Sequence, residues 1–117
     1  MINGDIEQFL DTGWYCEAEL YYQGHVYWCE GEYLTPTDIH FWVYRWKAVC
    51  DDSKYYHTVL GKDGEPEEWS VAYDIHARNL DEARRRFLQE PLFDGRTFWQ
   101  AEHDIAWVDD SNAPVRQ

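Results

Sequence analysis

The chain has 117 residues and a formal net charge of −13, and aromatic residues make up 18% of it. A chain of this length is large enough for one domain with its own core, and this aromatic content excludes an intrinsically disordered protein. We therefore expect a single compact domain over residues 1–117, in which residues 110–117 form a polar tail.

The negative charge is concentrated in the first part of the chain. Residues 1–44 contain eight acidic residues and no lysine or arginine, and the first cation is Arg45. A surface of this kind repels nucleic acid and anionic membranes and speeds encounter with basic proteins. We expect a basic protein as the partner, with no direct binding to nucleic acid or to a membrane.

Targeting signals and cysteine usage indicate the compartment. The start of the chain lacks a basic segment followed by an apolar one, and no stretch approaches the roughly 18 apolar residues that a membrane span needs. The three cysteines are an odd number without CxxC spacing, which is typical of a reducing compartment. We predict a cytoplasmic protein.

The first two thirds of the chain are predicted to form one short helix and then strands. Residues 3–11 have helical spacing, with Asn3 as the N-cap. From Trp14 to Leu34 the apolar residues alternate with period two, and the break at 23–24 predicts a hairpin with a two-residue turn.

Three further strands are predicted over residues 39–50, 55–60 and 69–76, which are rich in aromatic and β-branched residues. They are separated by turn and loop sequences that contain proline, glycine and acidic residues. Consecutive strands joined in this way favour an antiparallel meander.

The last third changes to helical spacing. Asn79 and Glu82 form a capping-box pattern at the start of one helix, and Thr97 and Gln100 repeat it before a second helix over residues 98–106. The predicted fold is α+β: an antiparallel β-meander of four to five strands, with a short N-terminal helix and two C-terminal helices packed on one sheet face.

The hairpin turn sorts the side chains onto two faces. Residues whose numbers sum to 47 lie opposite one another, so Glu17 is expected opposite Glu30, with Glu19 and Glu32 as diagonal neighbours. Like charges that face each other destabilise a sheet, which indicates a surface that gains from a cationic partner. The predicted partner-binding residues are these four glutamates, the aromatics on the same face and an acid nearby: Glu17, Glu19, Glu30, Glu32, Tyr15, Tyr21, Trp28 and Asp38.

A second interpretation of this face needs no partner. If Trp42 and Trp46 face the core, Arg45 and Lys47 project on the same side as the glutamates and neutralise part of their charge. The tryptophans of the later strands and helices would then belong to the core or line a pocket in it.

The sequence offers no recognisable chemistry. No CxxC or HxxxH pair indicates zinc, no GxSxG motif indicates a nucleophile, and no glycine-rich loop precedes a helix as in phosphate-binding sites. Asp74 and His76 are expected to form a structural pair, and the basic run 84–86 a solvated helix face. We predict a protein that is not an enzyme and has no cofactor, metal site or catalytic residue.

In size and acidity the chain resembles the small acidic inhibitors of phages and mobile elements, such as anti-CRISPR and anti-restriction proteins. The resemblance implies a DNA-mimic-like inhibitor that occludes the nucleic-acid-binding surface of a nuclease or a similar basic protein. Two alternatives stay open. One is a toxin-neutralising immunity protein, and the other is an accessory domain that binds a small ligand or a neighbouring protein and is acidic only for solubility.

Overall fold

The structure is a computed structural model, and it describes residues 1, 5–12, 14–15, 17–50 and 56–108. Within these ranges the chain forms an antiparallel, curled sheet with short helices around it, so the α+β class is confirmed at this level. The elements in chain order are α1 (Ile6–Thr12), β1 (Ala18–Tyr22), β2 (His25–Thr35), β3 (Asp38–Cys50), β4 (Tyr56–Thr58), β5 (Ser70–Ala77), α2 (Leu80–Gln89), α3 (Phe98–Ala101), a 3-10 turn (Glu102–Asp104) and β6 (Ala106–Val108).

The hairpin β1–β2 forms in the predicted register. Tyr22 lies opposite His25, and the pairing continues to Ala18 opposite Cys29. The turn residues Gln23 and Gly24 both have positive φ angles, 45° and 87°. Two positive φ angles are what a two-residue turn needs to match the twist of the strands it joins.

The strand order departs from a meander at β5. The described strands follow the order β4-β3-β2-β1-β6, and β5 pairs with β3 beside β4. Because β3 has 13 residues, its first part pairs with β5 and its last three residues pair with β4. The prediction of consecutive neighbours was wrong here, since a long central strand has room for two short partners end to end.

The predicted second C-terminal helix is much shorter than expected. Helix α3 ends at Ala101, a 3-10 turn follows, and residues 106–108 form a sixth strand that pairs with β1. Residues 106–108 form a strand despite their helical spacing, because they pair with the backbone groups at the open edge of β1. The local capping prediction is confirmed: Thr97 and Gln100 form a reciprocal capping box.

The other two helices begin at side-chain caps. In α2 the side chain of Asn79 accepts a hydrogen bond from the backbone N–H of Glu82 at 2.8 Å, as predicted. In α1 the cap is the carboxylate of Asp5, which accepts from the N–H of Glu7 at 2.8 Å. The predicted cap Asn3 lies outside the described residues, as does the predicted tail 110–117.

Aromatic packing dominates the main core. The ring of Phe87 in α2 lies 5.5 Å from that of Phe41 and 5.6 Å from that of Trp14. In α3, Phe98 contacts Phe87 at 5.8 Å and Phe9 at 6.0 Å. That both C-terminal helices cover a single sheet face stays a prediction.

A smaller apolar cluster lies where the sheet curls. Ala106 and Val108 of β6 are buried there, and Tyr21 and Tyr56 pack against them. The two tyrosine rings stack with centroids 6.0 Å apart. None of the helices in the described part of the chain is both long enough and apolar enough to cross a membrane.

Candidate protein-binding face

The alternation of β3 defines two faces of the sheet. Phe41 and Val43 are completely buried in the main core. Successive side chains of a strand point to opposite faces, so Trp42 and Tyr44 lie on the other face. Both are only partly buried, although tryptophan and tyrosine are among the largest apolar groups available for a core.

Trp42 lies between two carboxylates. Its direct partners across the sheet are Glu30 of β2 and Asp74 of β5. Side chains that oppose each other in antiparallel strands have Cβ atoms about 4.5–5.5 Å apart. One indole ring is therefore flanked by an acid on each side.

The neighbouring row of cross-strand partners also combines acidic and aromatic side chains. Trp28 lies between Glu19 of β1 and Tyr44 of β3, and the ring of Tyr44 lies 5.3 Å from that of Trp69. Across β1, β2 and β3, this row therefore places one acid beside two aromatic side chains.

A bulge in β5 brings Trp69 to this face. Val43 pairs with Tyr73 and Tyr44 pairs with Val71, so the register shifts between these pairs and leaves Ala72 as an extra residue. An extra residue reverses the alternation of a strand. As a result Val71 and Trp69 lie on the same face as Asp74, and Trp69 is 51% exposed.

Two histidines and three acids form the end of the face. His40 Nε2 lies 2.7 Å from Asp74 Oδ1, and His76 Nδ1 lies 2.9 Å from Asp38 Oδ1. Glu32 is the direct partner of His40 across the sheet, with a nitrogen-to-oxygen distance of 4.0 Å. The predicted local pair of Asp74 with His76 was wrong, because each of these residues pairs with a residue of β3 instead.

These residues form a continuous surface that we term the acidic aromatic face. It consists of Glu19, Trp28, Glu30, Glu32, Asp38, His40, Trp42, Tyr44, Trp69, Asp74 and His76.

The two cations of β3 lie on the opposite side of the sheet. Arg45 donates to the hydroxyl of Tyr27 at 3.1 Å and to Asp94 Oδ1 at 3.0 Å. Burial acts to lower the pKa of Arg45, but its bonds to Tyr27 and Asp94 outweigh burial and raise the pKa above the ordinary value. Lys47 Nζ lies 3.9 Å from Glu67. The interpretation in which these cations neutralise the glutamates was therefore wrong.

Three carboxylates of the face lie apart from the described lysines and arginines. Among the described residues, no lysine or arginine lies within 4.0 Å of Glu30, Glu32 or Asp74. Three arginines of the C-terminal part form ion pairs elsewhere: Arg78 with Glu82, Arg84 with Asp11 and Arg96 with Asp104. The three carboxylates therefore form no ion pair with a described lysine or arginine.

Two of the predicted site residues lie outside the strands of the sheet. Glu17 precedes β1 and has a positive φ of 56°, so it does not pair with Glu30 in the ladder, whose last pair is Ala18 with Cys29. Tyr15 lies in a turn and packs against the main core. Both were placed by extending the strand alternation too far towards the N terminus.

The other predicted residues lie in the predicted strands. Tyr21 belongs to the small cluster with β6, where burial raises its pKa. Trp28, Glu19 and Glu30 are partly buried, whereas Glu32 is exposed. The structure therefore brings together five of the eight predicted residues on the face: Glu19, Trp28, Glu30, Glu32 and Asp38.

Trp42 and Trp69 lie on the face but were not among the predicted site residues. Of the seven tryptophans, Trp14 alone is buried, and Trp42 and Trp46 lie on the acidic aromatic side of the sheet and not in the core. A signal for this was present, because Phe41 and Val43 form an equally apolar set on the alternate positions of β3. Two apolar sets on one strand leave the inward face undecided.

The basic run 84–86 lies on α2. Arg84 and Arg85 line an open pocket of about 380 Å³ together with Trp99 and other residues. Arg86 donates to the backbone carbonyl of His76 at 3.0 Å. The three guanidinium groups thus have different surroundings, as expected for consecutive positions of a helix.

No group of three or more histidine, cysteine, aspartate or glutamate side chains in the described ranges is arranged to hold a metal ion. Comparisons with family models, with curated proteins and with solved structures found no match to this chain. The functional conclusion therefore depends on the chemistry of the acidic aromatic face itself.

Proposed function

We propose that this chain is a small acidic binding protein that docks its acidic aromatic face onto a basic protein surface. The observation that carries the proposal is the separation of charges by the sheet. The carboxylates of Glu30, Glu32 and Asp74 lie on one face, whereas Arg45 and Lys47 lie on the other and pair there with Asp94 and Glu67. A cationic partner relieves the repulsion among the acids, and their field speeds its encounter.

The aromatic residues supply the affinity that acids alone do not. Exposed charges on a surface contribute mainly to the association rate, whereas aromatic anchors near the centre of an interface contribute most of the binding energy. Trp69 is half exposed, and Trp28 and Trp42 are partly buried beside carboxylates. Such a mixture is typical of a protein interface and is unusual for a plain solvated sheet.

The strong negative charge favours a partner that normally binds nucleic acid. Nucleic-acid-binding surfaces carry lysine and arginine side chains that neutralise phosphates. Carboxylates held by adjacent strands take the place of those phosphates in our proposal. The chain then inhibits a nuclease or a similar enzyme by occluding this surface, as anti-CRISPR and anti-restriction proteins of phages or mobile elements do, or as an immunity protein neutralises a toxin.

Three further parts of the proposal follow from this activity. The chain acts by binding and not as an enzyme, and it works in the cytoplasm, where its targets process nucleic acid. The helices α2 and α3 cover the opposite sheet face and leave the acidic aromatic face open, which the contact between Phe87 and Phe41 supports. In the rival function, an accessory domain, acidity serves solubility alone and no single face matters.

A competition experiment tests the function. A fluorescent DNA duplex bound to each of a panel of basic nucleases and DNA-binding proteins is titrated with the chain, and displacement is followed by anisotropy. We expect displacement from at least one protein, reduced about tenfold by Glu30→Lys, since this change places a positive charge at the centre of the face. The matched control Glu65→Lys changes the net charge equally in an exposed loop. Equal loss for both variants, or no displacement from any protein, contradicts the proposal.

A further inference from the structure

The row Glu30–Trp42–Asp74 offers more than negative charge. Trp42 has an acidic residue as its direct partner on each neighbouring strand, and the ring of His40 packs against its indole at 4.5 Å. The carboxylate of Asp74 is oriented by His40 through Oδ1. A carboxylate has two oxygens and accepts about four hydrogen bonds, so one contact with His40 positions the group without saturating it.

The aromatic surface continues beyond this row. The rings of Trp42 and Tyr44 lie 6.5 Å apart, and Tyr44 leads to Trp69 at 5.3 Å. On the other side of β3, Trp28 lies opposite Tyr44, with the carboxylate of Glu19 at the next position across the sheet. The face thus presents several aromatic rings. Each ring either neighbours an acidic residue or is separated from one by a single other ring.

Arginine and lysine respond differently to such a surface. A guanidinium group is planar and weakly hydrated, so it stacks on an aromatic ring while its N–H groups donate in the plane to a carboxylate. An ammonium group is compact and strongly hydrated, and it gains mainly from the charge. A surface of acids alone accepts both, whereas rings beside acids distinguish them.

We infer that the acidic aromatic face selects arginine: its partner docks a segment whose arginine side chains stack on Trp42 and the adjoining rings and pair with Glu30 and Asp74. This inference rests on the proposed function, since it specifies the cations that the face accepts. The neighbouring residues agree with it, because the sheet supplies acceptors and ring faces here and directs its own cations Arg45 and Lys47 away.

Two synthetic peptides of equal length and charge test the selection. One alternates arginine with serine and the other alternates lysine with serine, and binding to the whole chain is measured by calorimetry at about 100 mM salt, where exposed charges are partly screened. We expect the arginine peptide to bind about tenfold more tightly than the lysine peptide, because several stacked guanidinium groups each contribute.

Replacing single tryptophans shows which rings cause the preference for the arginine peptide. Trp42→Leu and Trp69→Leu should each bring the affinity for the arginine peptide close to that for the lysine peptide. Trp69 is half exposed, so Trp69→Leu should fold. It therefore provides the test even if Trp42→Leu does not fold. The control Trp99→Leu removes a tryptophan of similar exposure from α3 and should preserve the tenfold preference.

The possible results separate the inference from the proposed function. Equal binding of both peptides to the wild-type chain overturns arginine selection and leaves docking of a basic surface intact. A preference that survives both ring variants also overturns it. Absence of binding to either peptide contradicts the arginine selection and the proposed basic partner together.

Discussion

Glu30 and Arg45 lie on neighbouring strands but on opposite faces of the sheet. Glu30 is paired with Trp42, whereas Arg45 is the cross-strand partner of Tyr27 and bonds to its hydroxyl. Although the two residues lie on adjacent strands, the alternation of side chains directs their charges to opposite faces. This relationship keeps Arg45 from pairing with Glu30 and makes the arginine a structural residue.

Replacing Arg45 tests that separation. Arg45→Met removes the bonds to Tyr27 and Asp94, and we expect the free energy of unfolding to fall by about 1–2 kcal/mol, since one partly buried hydrogen bond and one surface ion pair are lost. Denaturant unfolding measures this change. Binding to a basic partner should stay within about twofold of wild type, because Arg45 does not touch the face. A large gain in affinity indicates instead that Arg45 neutralises the glutamates.

The aromatic core should be sensitive to truncation at its centre. Phe87 is fully buried and its ring contacts those of Trp14, Phe41 and Phe98. Phe87→Ala should lower the free energy of unfolding by about 3–5 kcal/mol, through lost burial and the cavity it leaves. The control Trp99→Ala, at an exposed position, should cost less than about 1 kcal/mol. Similar losses for both variants contradict the assignment of the core.

Two substitutions in the hairpin turn should change the free energy of unfolding in opposite directions. Gln23 and Gly24 both have positive φ, a conformation that asparagine and glycine adopt more readily than other residues. Gln23→Asn should therefore raise the free energy of unfolding by about 0.5 kcal/mol, and Gly24→Ala should lower it by about 1 kcal/mol. Thermal and denaturant unfolding measure both changes. Stabilisation by Gly24→Ala is incompatible with this turn.

The buried thiol of Cys29 predicts a loss of stability at alkaline pH. Burial raises its pKa well above the ordinary value of 9.0, since the thiolate is not solvated in the core. A raised folded-state pKa contributes stability that is complete below the unfolded-state pKa and is lost as pH rises above it. The free energy of unfolding should thus decrease by up to about 1.4 kcal/mol per pH unit above pH 9.

Cys29→Ala provides the control for this pH dependence. The variant should lack the part of the decrease that the thiol contributes above about pH 9, whereas the tyrosines, whose ionisation begins in the same range, contribute equally to both proteins. Alkylation followed by mass spectrometry gives a second measurement: the exposed Cys50 should be labelled in the native state, and Cys29 only after unfolding. Rapid native labelling of Cys29 contradicts its burial.

Local signals in the sequence predicted the local parts of the fold. The hairpin register follows from one turn, and the caps at Asn79 and Thr97 follow from side chains three residues apart. The pairing of β5 with β3 and of β6 with β1 joins residues that are distant in the chain, so no nearby pattern specifies it. For the same reason the helix predicted over residues 98–106 ends at Ala101, and its last predicted residue begins a strand.

The candidate site was predictable for β2 but not for its neighbours. Glu30 and Glu32 follow from the turn by counting. Trp42 could not be placed, because the alternate residues of β3 are also apolar and only the packing of Phe41 against Phe87 decides which set is buried. Trp69 depends on a bulge at Ala72, a single extra residue that reverses its face.

The acidic aromatic face is tested as the docking face by mapping where a basic ligand binds. In an NMR titration of the ¹⁵N-labelled chain with the arginine–serine peptide, each of the seven tryptophans contributes one indole N–H signal. We predict shifts for the indoles of Trp28, Trp42 and Trp69 and for the backbone amides around Glu30 and Asp74, and none for Trp14 or Trp99. Shifts centred on the acidic loop 61–68, or spread evenly over the whole surface, would show that net charge alone attracts the ligand and would contradict the docking face.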